Sequence, residues 1–205
     1  MSRKLQVACA AMGVCVILVG ASMAVVMSER IPDIGHLTRD PTAVAEVPWW
    51  TGVLSRLTNL CWAVAATVNL VAARASVPSR RQPLLLLGVL SAAFAIDDAM
   101  LVHETVMPNL GVPEEFVLAT YALAGLVLVR SWSGSWWRTQ VGAAFFTGAA
   151  MLAVSVAADA FGATALLLLE DGAKLIGVLA WCFCGVWAYS DLSLEGPPNA
   201  PAGRN

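Results

Sequence analysis

Six long apolar stretches separated by short polar connections restrict what this chain can fold into. The first runs from Leu5 to Met27, and its 23 residues are enough for a helix to cross a hydrocarbon core about 30 Å thick. Inside hydrocarbon no water is at hand for backbone N–H and C=O groups, so each stretch must satisfy its own, as an α-helix does. The others span residues 49–73, 83–107, 114–130, 139–160 and 165–190. The expected fold is all-α: a polytopic membrane helical bundle of six transmembrane helices over residues 1–193, followed by a disordered tail, 194–205, rich in Pro, Gly and Asn. Composition agrees, with 59% hydrophobic residues, 13% charged and a mean hydropathy of +0.73. Soluble domains carry roughly 25% charged residues. A formal net charge of −2 leaves no basic surface for nucleic acid, and the expected environment is the lipid bilayer of a prokaryotic plasma membrane.

The first stretch reads as a retained span rather than a signal peptide, whose apolar core usually runs only about 7 to 15 residues. The five cysteines (Cys9, Cys15, Cys61, Cys182 and Cys184) all lie inside apolar stretches and read as small buried hydrophobes, not as a disulfide framework. Trp49 and Trp50, and Trp132, Trp136 and Trp137, read as interfacial anchors. The loop 28–48 carries His36, read as a surface histidine. Loop basic residues set orientation. Placing the N-terminus inside puts Arg3, Lys4, Arg74, Arg80, Arg81, Arg130, Arg138 and Arg204 in the cytoplasm and only Arg30 and Arg39 outside, with both termini cytoplasmic.

The third stretch contains Ile-Asp-Asp-Ala-Met-Leu-Val-His-Glu, residues 96–104. A charge within lipid costs roughly 2.5 to 3.5 kcal/mol on insertion scales, so intramembrane ionisable residues mark functional sites. On a regular helix Asp97 and Glu104 would lie about 20° apart, Asp98 about 100° to one side and His103 about 100° beyond Glu104. The chosen orientation places Arg56, Asn59, Asp97, Asp98, His103, Glu104, Asp159, Glu170, Asp171 and Lys174 all in the outer half of the bilayer. One outward-opening polar pocket lined by spans two, three, five and six is therefore expected. Asn69, in the inner half, is expected to make an interhelical hydrogen bond, and the small residues around Gly148 to pack helices closely.

Glu170 and Lys174 are spaced i, i+4 with the acid first, the favourable order for a helical ion pair. The residue types Asp97, Asp98, His103, Glu104, Glu170 and Asp171 form an oxygen-rich set suited to a divalent ion: Mg, Ca or Mn, or with His103 Zn or Fe. Such an ion would offset carboxylate repulsion and acidify a bound water. Asp98, His103, Lys174 and Arg56 are the expected catalytic residues, with Lys174 and Arg56 receiving an anionic group. Two alternatives stand beside the metal: carboxylates acting as a proton relay, and a purely structural ionic network.

Asp97-Asp98-x4-His103-Glu104, together with Leu169-Glu170-Asp171-Gly-Ala-Lys174, resembles an uncharacterised group of prokaryotic six-span membrane proteins with an Asp-Asp/Glu-x4-His-Glu motif, which implies no particular activity. The layout is loosely similar to the membrane-embedded metal hydrolases of the alkaline ceramidase superfamily, although those use three histidines and this chain has two. Asp97-Asp98 also resembles the aspartate-rich motif of prenyl-transferring enzymes. Glu170, Lys174 and Arg56 are similar to the acid, Schiff-base lysine and arginine of microbial rhodopsins, which have seven spans. The leading expectation is a metal-assisted, hydrolase-like membrane enzyme acting on a lipid or amphiphile. The alternatives are a proton- or cation-binding transporter or accessory subunit, and a retinal-type protein using Lys174.

Overall fold

A computed structural model of the chain describes residues 41–132, 138–161 and 166–194. The predicted first span, the loop with His36, Trp136, Trp137 and the tail beyond Leu194 lie outside these residues. Among the described residues there are seven α-helices, one π-helical turn and no strand, so the described part of the chain is all-helical. Val53–Ala75, Pro78–Met100 and Gln140–Asp159 are long and apolar enough to cross a membrane.

The chain divides into two compact units, Met1–Val53 and Leu54–Asn205. In the first, the short helix α1 (Pro41–Val44) leads into a turn in which the Thr51 N–H donates to the Pro48 carbonyl at 2.9 Å. Trp49 and Trp50, the central residues of that turn, meet edge to face with ring centroids 5.7 Å apart, and both are exposed.

The second unit holds α2 (Val53–Ala75) from its second residue on, α3 (Pro78–Met100), the π turn (Val102–Val106), α4 (Met107–Asn109), α5 (Glu114–Ser131), α6 (Gln140–Ala160) and α7 (Leu167–Leu194). Helix α3 starts five residues before the predicted boundary at Pro83, because Pro78 at the first helical position already has the φ a helix needs. Arg80 and Arg81, expected in a loop, lie in its first turn and both donate backbone N–H groups to the Val77 carbonyl at 3.0 Å. Pro83 lies inside the helix, where it lacks the N–H that would reach the Ser79 carbonyl and so leaves a gap in the ladder one turn from the start. At α6 the cap is a side chain: Thr139 Oγ1 accepts from the Gly142 N–H at 3.1 Å.

Six aromatic rings cross the core of this unit. Tyr121 lies 4.9 Å from Phe94, Phe94 4.9 Å from Trp62, and Trp62 5.7 Å from Trp181. Trp181 stacks on Phe145 at 6.1 Å, and Phe145 on Trp132 at 4.5 Å. Trp132, expected at the interface, is thus fully buried; its position just after α5 turns it onto the start of α6. Close approach of α6 and α7 depends on glycine: a Cβ at Gly148 would strike the Trp181 ring, and one at Gly177 would lie 2.9 Å from Leu152 Cγ. Asn69 makes an interhelical bond, donating from Nδ2 to the Trp181 carbonyl at 2.9 Å, while Trp181 Nε1 donates to the Phe145 carbonyl at 3.1 Å. Cys61, Cys182 and Cys184 are free thiols.

Candidate functional site

The regular helix expected through residues 96–104 does not form. Helix α3 ends at Leu101, a non-glycine residue in the left-handed region (φ 50°, ψ 46°) whose N–H donates to the Asp97 carbonyl. Such a conformation costs an L-residue roughly 1 to 2 kcal/mol, and strain of this kind collects at functional sites. Beyond it the ladder widens to π spacing, with the Val106 N–H on the Leu101 carbonyl at 3.1 Å.

Asp97 closes this break with both carboxylate oxygens. Oδ1 accepts the His103 backbone N–H at 2.8 Å, and Oδ2 accepts from His103 Nδ1 at 2.6 Å. Asp97 is only 5% exposed, so its charge is satisfied inside the protein by one residue. The helical-wheel expectation is thereby corrected: His103 turns back onto Asp97 and Glu104 turns away. The Glu104 side chain is 56% exposed and meets His103 Nε2 at 3.5 Å.

Asp97, Asp98 and His103 line a cavity of about 150 Å³ together with Asp159, Glu170 and Lys174. Helix α6 contributes Ser155 and Asp159, α7 contributes Glu170 and Lys174, and α2 contributes Trp62. Helix α5 also takes part, through Leu118 and Tyr121; the expected lining left this helix out. Lys174 Nζ lies 3.7 Å from Glu170 Oε1, the i, i+4 pair read from the sequence. Asp98 Oδ2 is buried without a hydrogen-bond partner, within electrostatic reach of Lys174, Asp97, Glu104 and Asp171.

Other expected members lie elsewhere. Arg56 is exposed on α2 and does not line the cavity, and neither do Glu104 and Asp171. Asn59, one turn from Arg56, donates to the Ala95 carbonyl at 3.0 Å and ties α2 to α3. The donor side chains do not form the expected metal set, since among the described residues no group of three or more His, Cys, Asp or Glu side chains could hold an ion. The reason is pairing: Asp97 is committed to His103 and Glu170 faces Lys174, while Glu104 points outward. Tyr121 and Ser155 are not among the expected site residues, although a tyrosine in a mostly apolar span is a legible signal because its hydroxyl needs a polar neighbour.

Fold and site together define a class: among the described residues, an all-helical protein with three helices long and apolar enough to cross a membrane and a small ionisable cavity between its helices. Residues 9–188 match the model of a domain of unknown function (DUF8692), and the chain belongs to that family. No curated protein and no solved structure matches it.

Proposed function

We propose that this is a six-span plasma-membrane protein that binds and exchanges protons at an intramembrane site, as a proton- or cation-coupled transporter or its accessory subunit. The reading is carried by the hydrogen bond from His103 Nδ1 to Asp97 Oδ2, 2.6 Å long, facing a cavity that also holds Asp98, Asp159, Glu170 and Lys174. A carboxylate on Nδ1 fixes the tautomer and orientation of the imidazole and leaves Nε2, 3.5 Å from Glu104 Oε1, as the nitrogen open to proton exchange. Asp98, with one oxygen unsatisfied, is the next acceptor within the same cavity. Chains of Asp, Glu and His with these properties form proton relays in membrane proteins.

The test is proton flux into proteoliposomes carrying an internal pH-sensitive dye under an imposed gradient. Asp97→Asn and His103→Gln should abolish the flux and Asp98→Asn should reduce it. Wild-type flux in both of the first two variants would refute the reading.

The same Asp97–His103 geometry supports a second reading, an acid–base enzyme in which His103 Nε2 takes a proton from water or a substrate hydroxyl without a protein-bound metal. Turnover of an ester or amide amphiphile by the purified protein, lost in His103→Gln, would distinguish it.

A further inference from the structure

Beside the ionisable cavity lies a second, larger one of about 530 Å³, bounded by α3, α5, α6 and α7. Its lining is almost wholly apolar: Leu90, Ala122, Gly125, Phe145, Ala149 and Trp181 are typical of it. The two cavities share Phe94, Leu118, Tyr121, Leu152 and Val156, so a molecule occupying one borders the other. A volume of this size falls within the roughly 300 to 1,000 Å³ of small-molecule sites, and an apolar chamber with a few convergent polar groups at one end is the usual form of such a site.

The charge at the polar end selects the occupant. Asp97, Asp98, Asp159 and Glu170 face Lys174 and His103. Asp97 is taken up by His103 and Glu170 by Lys174, which leaves the carboxylates of Asp98 and Asp159 in excess and one oxygen of Asp98 with no donor. An anionic head group would meet this excess unfavourably, whereas an ammonium group would supply the missing donor and offset the charge.

We infer that the two cavities together bind a single-chain amphiphile with an amine head group, its hydrocarbon tail in the apolar chamber and its ammonium at Asp98. The inference rests on the proton-exchange reading for what the site then does with the ligand, but not for the binding itself. A protonated amine beside Asp98 and the Asp97–His103 pair is a group that can give up and regain a proton at that site.

The test uses the full chain in detergent and three chain-brominated probes of equal length, an amine, an alcohol and a carboxylate, read by saturable quenching of tryptophan fluorescence; Trp181 and Trp62 line the two cavities. The amine should bind at least about tenfold more tightly than the carboxylate, the equivalent of about 1.4 kcal/mol. Asp98→Asn should bring the amine down to the level of the alcohol. Gly125→Phe should abolish binding of all three; a Cβ there meets no neighbour within 4 Å, so the larger side chain fills the chamber without displacing the fold. Ala153→Trp fills the same chamber from α6 and gives a second check should the first variant express poorly.

Equal binding of all three probes, unchanged by Asp98→Asn, would mean that the chamber takes bilayer chains without regard to head group and would overturn the inference. Preference for the carboxylate, absence of saturable quenching, or full binding by both chamber-filling variants would do the same. Proton flux is measured without added amphiphile, so loss of head-group discrimination and loss of flux are separate results, and either reading can fail alone.

Discussion

Asp97 is the residue on which the site turns, because a single buried carboxylate satisfies both a backbone donor and an imidazole across a strained break in the helix. In Asp97→Asn the amide oxygen still accepts the His103 N–H, but the charge-assisted bond to Nδ1 is lost. A loss of about 1 to 3 kcal/mol is expected, read as a lower thermal midpoint in detergent, with His103 no longer held toward the cavity. Asp97 and His103 stand out in the sequence as ionisable residues in an apolar stretch, but constant 100° steps place His103 on another face from Asp97. The cause is Leu101: nothing in a leucine announces a left-handed conformation, which glycine or asparagine would have signalled.

At the scale of elements, the decisive features are the end of α3 and the contact between α6 and α7. Proline cannot adopt the positive φ of Leu101 and lacks the N–H that reaches the Asp97 carbonyl. Leu101→Pro should therefore cost about 3 kcal/mol or more and abolish flux, while Leu101→Gly, which accepts that φ, keeps both the fold and the flux. Between α6 and α7, Gly148→Leu would drive a side chain into the Trp181 ring. Overpacking of this kind costs about 1 to 3 kcal/mol or more, and the check is a thermal melt together with the near-ultraviolet signal of the stacked aromatic file. The small-residue run in α6 was legible as a packing face, but that its partner is a tryptophan was not, because a glycine says only that something comes close.

For the whole molecule, the proposed orientation places the start of α3 on the cytoplasmic side. Ser79→Cys, at an exposed position in the first turn of that helix, should react with a membrane-impermeant maleimide only after the cytoplasmic face is opened. Reaction in intact cells would reverse the topology and with it the side from which the ionisable cavity is reached. Of the ionisable residues expected at one depth, Asp97, Asp98, His103, Asp159, Glu170 and Lys174 line one cavity, and Arg56, Glu104 and Asp171 do not. Arg56 is exposed on α2: a helix fixes how far a residue lies along its axis, and only packing decides which way the side chain points.

The amino-acid order alone determined that the described part of the chain is helical, where most of its helices run, and which ionisable residues sit among apolar neighbours. These follow from local rules: hydrocarbon demands internally bonded backbone, and a charge there demands a partner. The tertiary structure decided the rest. It paired Asp97 with His103, turned Glu104 outward, brought Tyr121 of α5 to the cavity and set an apolar chamber against it. Those outcomes depend on contacts between residues distant in the chain and on one backbone angle at Leu101, and neither is encoded in spacing along a single helix.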